Sequence, residues 1–239
     1  MVNHFSGLVD DLKSTHGGNL VSVTLYGSAA AGDFIPSHSD YNLLIALQEI
    51  TPRELREAHA CVREWHKLGH PVPVYFTESE LSNAADVFPI EFHQMQEAHK
   101  VLYGKDVLAD LQISDRFLRH QAEYELRSKL LHLRRQYIPA SASVEGLKRL
   151  MAESLASFAA VFRAVLILHG KRPPVIKHEI VALTVHSLGI DGKPFEKIFN
   201  IREDNFGEHL DEVSANQLFA DYMRQIEAVI DSVNKLNGT

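Results

Sequence analysis

The sequence predicts an α+β fold in two parts. Residues 1–112 form a domain of short strands between helices, and residues 113–239 an all-α antiparallel helical bundle. Three observations predict this. Short β-branched or apolar runs alternate with capped helical stretches as far as Asp106. From Ser114 onward the apolar residues recur only at helical spacing, over long segments. Charge changes at the same place: residues 1–112 carry 7 Lys and Arg against 15 Asp and Glu, a balance of −8, and residues 113–239 carry 17 against 16, a balance of +1.

In chain order, Phe5, Leu8, Val9 and Leu12 share one helical face over residues 3–15, and Gly17-Gly18 stops that helix. Residues 19–26 read as a strand. Gly27-Ser28 and the small residues Ala29 to Gly32 make a tight turn into a short helix, and Tyr41 to Leu47 is a second strand, apolar enough to be buried on both faces. Thr51-Pro52-Arg53-Glu54 opens a helix to about Leu68: Thr51 caps, Pro52 suits the first position and Glu54 completes a capping box. Pro71 to Phe76 is a short strand whose prolines place it at an edge or a strand start. Thr77 and Glu80 form a second capping box, a strand-like stretch lies near Ile90 to Met95, and Val101 to Asp106 closes the first domain.

The second part reads as helices over about 115–137, 144–169, 176–188, 194–201 and 214–236. Pro139 breaks the first two apart. The helix of 144–169 carries Leu147, Leu150, Met151, Leu155, Phe158, Phe162 and Leu166 and belongs at the centre of the bundle.

The segment Leu25-Tyr26-Gly27-Ser28, followed after a polar loop by Ser39-Asp40-Tyr41-Asn42, resembles the signature of the polymerase-β-like nucleotidyltransferase superfamily. The turn Leu102-Tyr103-Gly104-Lys105-Asp106 is similar to one that follows the catalytic domain in antibiotic-modifying members. The resemblance implies a mixed-sheet nucleotidyltransferase domain. It also implies transfer of a nucleoside monophosphate from an NTP to a small hydroxylated acceptor, in a cleft between the domains, with Mg²⁺ as cofactor. By that resemblance Gly27, Ser28 and Ser39 are nucleotide-binding residues, and Asp40 and Asn42 are the catalytic, metal-holding pair. The family uses three carboxylates. Here the second is Asn42, and Pro73 stands where streptomycin-type relatives place the third. A neutral amide can ligate a cation weakly but cannot bridge two divalent ions. A degenerate member that binds a nucleotide or a partner without transfer therefore stands beside the enzymatic reading.

Each residue also has a plainer explanation. Gly27-Ser28 can be a capped strand-to-helix turn, and Asp40 can cap the loop. Glu78 could reach back toward the site, whereas Glu80 is already the capping partner of Thr77. By the resemblance Glu153 could be a general base turned to the cleft; the plainer expectation puts it at the solvated edge of its apolar helix. His59, His66 and His70 are expected at the surface, with no further ligand to complete a metal set. The pairs Arg127…His132 and Arg163…His169 resemble the loose motif of HEPN ribonucleases, with coincidence the stronger reading. The basic stretch 116–135 suggests either an anion site or a solvated helix face.

Composition excludes little else. The chain has 45% apolar and 23% charged residues, and its single cysteine, Cys61, rules out an internal disulfide framework and fits a reducing cytoplasm. The N-terminal residues do not read as a signal peptide, and no uninterrupted apolar stretch of membrane length is expected. The acidic first domain argues mildly against nucleic acid and allows a cationic small substrate, with ordinary surface charge for solubility the stronger reading; a homodimer is open.

Overall fold

The computed structural model describes residues 2–32, 40–202 and 210–236. The chain divides into two units, 1–115 and 116–239.

In the first unit, helix α1 (Val2–His16) precedes strand β1 (Leu20–Tyr26), a four-residue helix α2 (Ser28–Ala31) and strand β2 (Asn42–Leu47). Helices α3 (Pro52–Glu57) and α4 (His59–Lys67) lead to strand β3 (Val74–Thr77). Helices α5 (Glu78–Asn83) and α6 (Pro89–Glu97) and strand β4 (His99–Gly104) follow. The sheet is mixed, in the order β3-β2-β1-β4. β1 is antiparallel to both β2 and β4, and β2 is parallel to β3.

Side-chain alternation divides the core between the two faces of this sheet. Val23, Leu25, Leu43, Ile45 and Leu47 pack with Phe5, Leu8 and Leu12 of α1 and with Cys61 and Trp65 of α4. Leu44 points the other way, with Tyr26, Val74 and Phe76, onto Leu81, Phe92 and Met95. β2 is buried on both faces, as its unbroken apolar run predicts. The buried hydroxyls of Ser22 and Thr24, on the face of Tyr26, satisfy each other at 3.1 Å.

Both capping boxes form, at Thr51/Glu54 and Thr77/Glu80. Four expectations change. The stretch Ile90 to Met95 is helix α6, not a strand: Pro89 occupies its first turn, and Phe88, Phe92 and Met95 recur at helical spacing. The fourth strand is His99–Gly104, part of which the sequence presents only as the turn that closes the domain. The helix from Pro52 splits at Ala58, whose N–H is shared between Arg56 O and Glu54 O. The third strand starts at Val74, after Pro71 and Pro73, which have no N–H to give a ladder.

His16, at the end of α1, is 7% exposed, and neither ring nitrogen has a hydrogen-bond partner among the described residues. Burial lowers its pKa from the ordinary histidine value, against the opposing pull of Glu57 and Glu54. A depressed folded-state pKa means that the unfolded chain binds the proton more readily. Stability is therefore full above the unfolded value of about 6.5 and declines as pH falls below it, with a slope of at most about 1.4 kcal/mol per pH unit. Urea titrations at pH 7.5 and 5.5 should show this loss in the wild type. The part carried by His16 should vanish in His16→Leu; an unchanged slope in that variant would remove the assignment.

In the second unit, α7 (Leu118–Ala140), α8 (Val144–Leu168), α9 (Lys177–Leu188), α10 (Lys193–Arg202) and α11 (Glu212–Lys235) form the bundle. Pro139 lies inside the last turn of α7 and does not break it; the chain turns over Ser141 to Ser143, and Ser143 caps α8. α8 packs against the other four helices. It has the length and hydropathy of a membrane-crossing helix, but it is largely buried within the protein. Phe162 meets Phe195 edge-on at 6.1 Å, Phe195 meets Tyr222 at 5.9 Å, and the buried Tyr222 hydroxyl pairs with Ser154 Oγ at 3.1 Å.

Candidate functional site

The site begins where β1 ends. Gly27 has φ 79° and ψ −153°, a conformation open essentially only to glycine. Its N–H donates to Ala98 O at 3.1 Å, and its carbonyl accepts from the N–H groups of Ala30 and Ala31, both at 3.0 Å. The chain therefore turns sharply off the sheet into α2, which ends at Gly32 in the left-handed region (φ 80°). Ser28, the first residue of α2, is half-buried.

Tyr41 fixes the neighbouring strand. Its ring lies 5.1 Å from Phe5, 6.4 Å from Trp65 and 4.9 Å from His70. Asn42, which opens β2, is turned to the face opposite Leu43. Asn42 pairs with Tyr26 across the ladder, and a Cβ placed on Gly27 would stand 3.4 Å from Asn42 Nδ2. The fold thus brings Gly27 and Asn42 together. Asp40 is exposed just before β2, and Ser39 lies outside the described residues.

No carboxylate stands on this face of β3. The register pairs Leu44 with Val74 and Ala46 with Phe76. Pro73 precedes the strand, with the opposite parity. Glu78 is engaged by the Lys105 ammonium. Glu80 is held by its capping box, accepting from Thr77 N at 2.7 Å.

The register also reveals two residues that motif reading missed. Tyr26 pairs with Asn42 on one side and with His99 on the other, so Asn42, Tyr26 and His99 form a row across three strands. His99 is fixed at both ring nitrogens: Nδ1 lies 2.8 Å from Gln96 O and Nε2 lies 3.0 Å from Asp106. Burial pushes the Asp106 carboxyl up. Its hydrogen bonds with His99 and with the N–H groups of Leu108 and Ala109 outweigh that and hold it below the usual range. The turn from Leu102 to Asp106 is therefore the brace that aims His99, a role the motif alone did not disclose.

The remaining candidates have structural partners. His59 and His66 are exposed, but His70 is not a surface residue as expected: it is half-buried, with its ring 4.3 Å from Trp65, and its carbonyl meets His66 Nδ1 at 2.9 Å. Among the described residues no three His, Cys, Asp or Glu side chains gather as a metal cluster. Glu153 is exposed. Arg163 is buried and donates to Pro174 O at 2.6 Å, and Arg119 and Arg127 flank Glu123, each at 2.9 Å. The basic character of α7 is thus partly neutralised from within the helix.

No protein-family model matches the chain, and no characterised protein matches it in sequence. Among solved structures it is similar to spectinomycin adenyltransferase AAD(9) from Enterococcus faecialis, crystallised with ATP and spectinomycin. The TM-score is 0.53 and the identity 13%, over 95% of this chain and 98% of that one. What the chain shares with that enzyme, almost end to end, is its fold: a mixed-sheet nucleotidyltransferase-like domain followed by a helical bundle.

Proposed function

We propose that this protein binds a nucleoside triphosphate at the Gly27–Ser28 turn without transferring its nucleotidyl group. The observation that carries the reading is the donor set. Asp40 is joined by the neutral amide Asn42, and β3 presents Val74 and Phe76 on the same face. Two-metal transfer needs anionic oxygens shared between ions about 3.5–4 Å apart. One carboxylate and one amide do not fit that pair, although they suit a single, weakly held Mg²⁺ accompanying the phosphates. The turn itself remains suited to an anion, because Gly27 lets the backbone approach closely.

Calorimetric titration with ATP and GTP, with and without Mg²⁺, tests this. Binding is expected, strengthened less than about tenfold by Mg²⁺, with no pyrophosphate released; a factor of ten corresponds to about 1.4 kcal/mol. Absence of binding by both nucleotides would overturn the reading. So would Mg²⁺-dependent pyrophosphate release that disappears in Asp40→Ala. That second outcome would favour a transferring enzyme acting on a small hydroxylated acceptor, the reading supported by the end-to-end likeness to AAD(9), which was crystallised with spectinomycin. Turnover appearing only in Asn42→Asp would mark the site as one substitution short of its chemistry.

A further inference from the structure

We propose that the open side of β3 is a self-association surface, on which a second copy of this chain pairs its own β3 antiparallel to the first. Three observations converge on that strand. β3 ends the sheet order, with β2 on one side and no strand on the other among the described residues. A groove of about 520 Å³ runs along one face of this edge, between Tyr75 and the α3–α4 residues Leu55 and Val62. A second groove of about 330 Å³ runs along the other face, between Phe76 and Phe88. Tyr75 lines both grooves.

The exposed apolar side chains point to the same place. Among the described residues of this unit, the large apolar side chains that remain exposed are Leu55 (47%), Leu68 (62%), Val72 (59%), Val87 (57%) and Phe88 (42%). Four of the five line one or other groove. Isolated exposed apolar residues need no explanation, but a set gathered along one edge does.

The edge selects its occupant. Unpaired strand backbone calls for another extended backbone. A strand laid beside β3 sends alternate side chains into the two grooves, so it must be apolar at consecutive positions. Val74-Tyr75-Phe76 meets that requirement, which makes the edge complementary to itself. A two-fold axis normal to the sheet keeps like faces together, so Leu55 and Val72 meet their counterparts on one face, and Val87 and Phe88 meet theirs on the other. On the α3–α4 side the bordering charges are paired: Arg53 with Glu57 at 2.9 Å, and Glu64 with Arg63 at 3.3 Å and Lys67 at 2.9 Å. At roughly 100 Å² apiece the four side chains at the grooves supply about half of the ~800 Å² per partner that a stable interface buries, and the strand and groove walls add the remainder. Pro71 and Pro73 lack N–H groups and limit the pairing to Val74–Thr77, which protects the edge from open-ended growth.

Sedimentation equilibrium of the full chain over about 1–100 μM tests the proposal, and a reversible dimer is expected in that range. The double variant Val72→Lys/Phe88→Lys changes only exposed positions, one at each groove. It should raise the dissociation constant at least about thirtyfold with no change in the far-UV spectrum. Leu131→Lys, on an exposed face of α7, should leave the dimer intact. Amide exchange at Val74–Thr77 in the wild type should slow as concentration rises. A wild type that stays monomeric at 100 μM would overturn the proposal, as would a dimer that survives the double variant. A monomer that instead binds an unrelated apolar peptide along β3 would overturn it in favour of a different partner.

Discussion

Gly104→Ala should destabilise the first unit by more than about 3 kcal/mol. Gly104 ends β4 at φ 77°, where a side chain costs about 1–2 kcal/mol in backbone conformation alone. Space makes the cost larger. A Cβ there would lie 2.0 Å from the Val21 carbonyl oxygen and 3.0 Å from its carbon. Both are backbone atoms of β1, so no side chain can swing aside. Relief requires β4 to move away from β1 at a point where Lys105 N also bonds Val21 O at 3.1 Å. The displacement would pass directly to Asp106 and from there to His99, loosening the row that includes Asn42. Gly69→Ala is the matched control. Its φ is also positive, at 90°, but nothing lies within 4 Å of the added methyl, so it should lose only the conformational part, about 1 kcal/mol. Urea denaturation followed by Trp65 fluorescence reads the first unit, because Trp65 is the single tryptophan and is buried in that core. Equal losses in the two variants would mean that the close approach of β4 to β1 does not exist in solution.

Features fixed by neighbouring residues were legible in the sequence. The capping boxes at Thr51 and Thr77 depend on side chains three residues apart, and both form. The apolar stripe of α8 marks the centre of the bundle, because a helix apolar on so much of its circumference must be covered on several sides. What failed was decided at longer range. β4 begins His99-Lys100 and is half-exposed along its length, so it has neither the apolar run of β2 nor clean alternation; pairing with β1 makes it a strand. The stretch Ile90 to Met95 is short enough to suit either state, and Pro89 with the spacing of Phe88, Phe92 and Met95 is what favours helix. The candidate site divides in the same way. Gly27, Asp40 and Asn42 could be picked out by motif, and the fold sets Gly27 against Asn42. The row of Asn42, Tyr26 and His99 follows from the register of three strands, which includes a shift between Val23 and Thr24 that no local pattern announces.

Gly27→Ala should weaken ATP or GTP binding at least about a hundredfold, while stability falls by about 1–3 kcal/mol. Here the two costs separate, unlike at Gly104. An added methyl has room, since its nearest neighbour is Asn42 Nδ2 at 3.4 Å, an ordinary contact. The backbone conformation is what alanine cannot keep: φ 79° with ψ −153° is a region L side chains leave even when space is available. The turn would rotate to a more extended φ. The Gly27 N–H would leave Ala98 O, its carbonyl would leave the N–H groups of Ala30 and Ala31, and α2 would lose its first turn. On the proposed function, the phosphates would then lose the backbone N–H groups of Ser28 and Ala29. The sheet beneath is held by separate contacts, through Tyr41, Leu43 and Ile45, so the fold should tolerate the change better than the binding does. Calorimetric titration well below the unfolding temperature, with urea denaturation of the same sample, measures both. Unchanged affinity despite the expected loss of stability would show that phosphates are held elsewhere, and the turn would be left with its structural role of carrying the chain from β1 to β2.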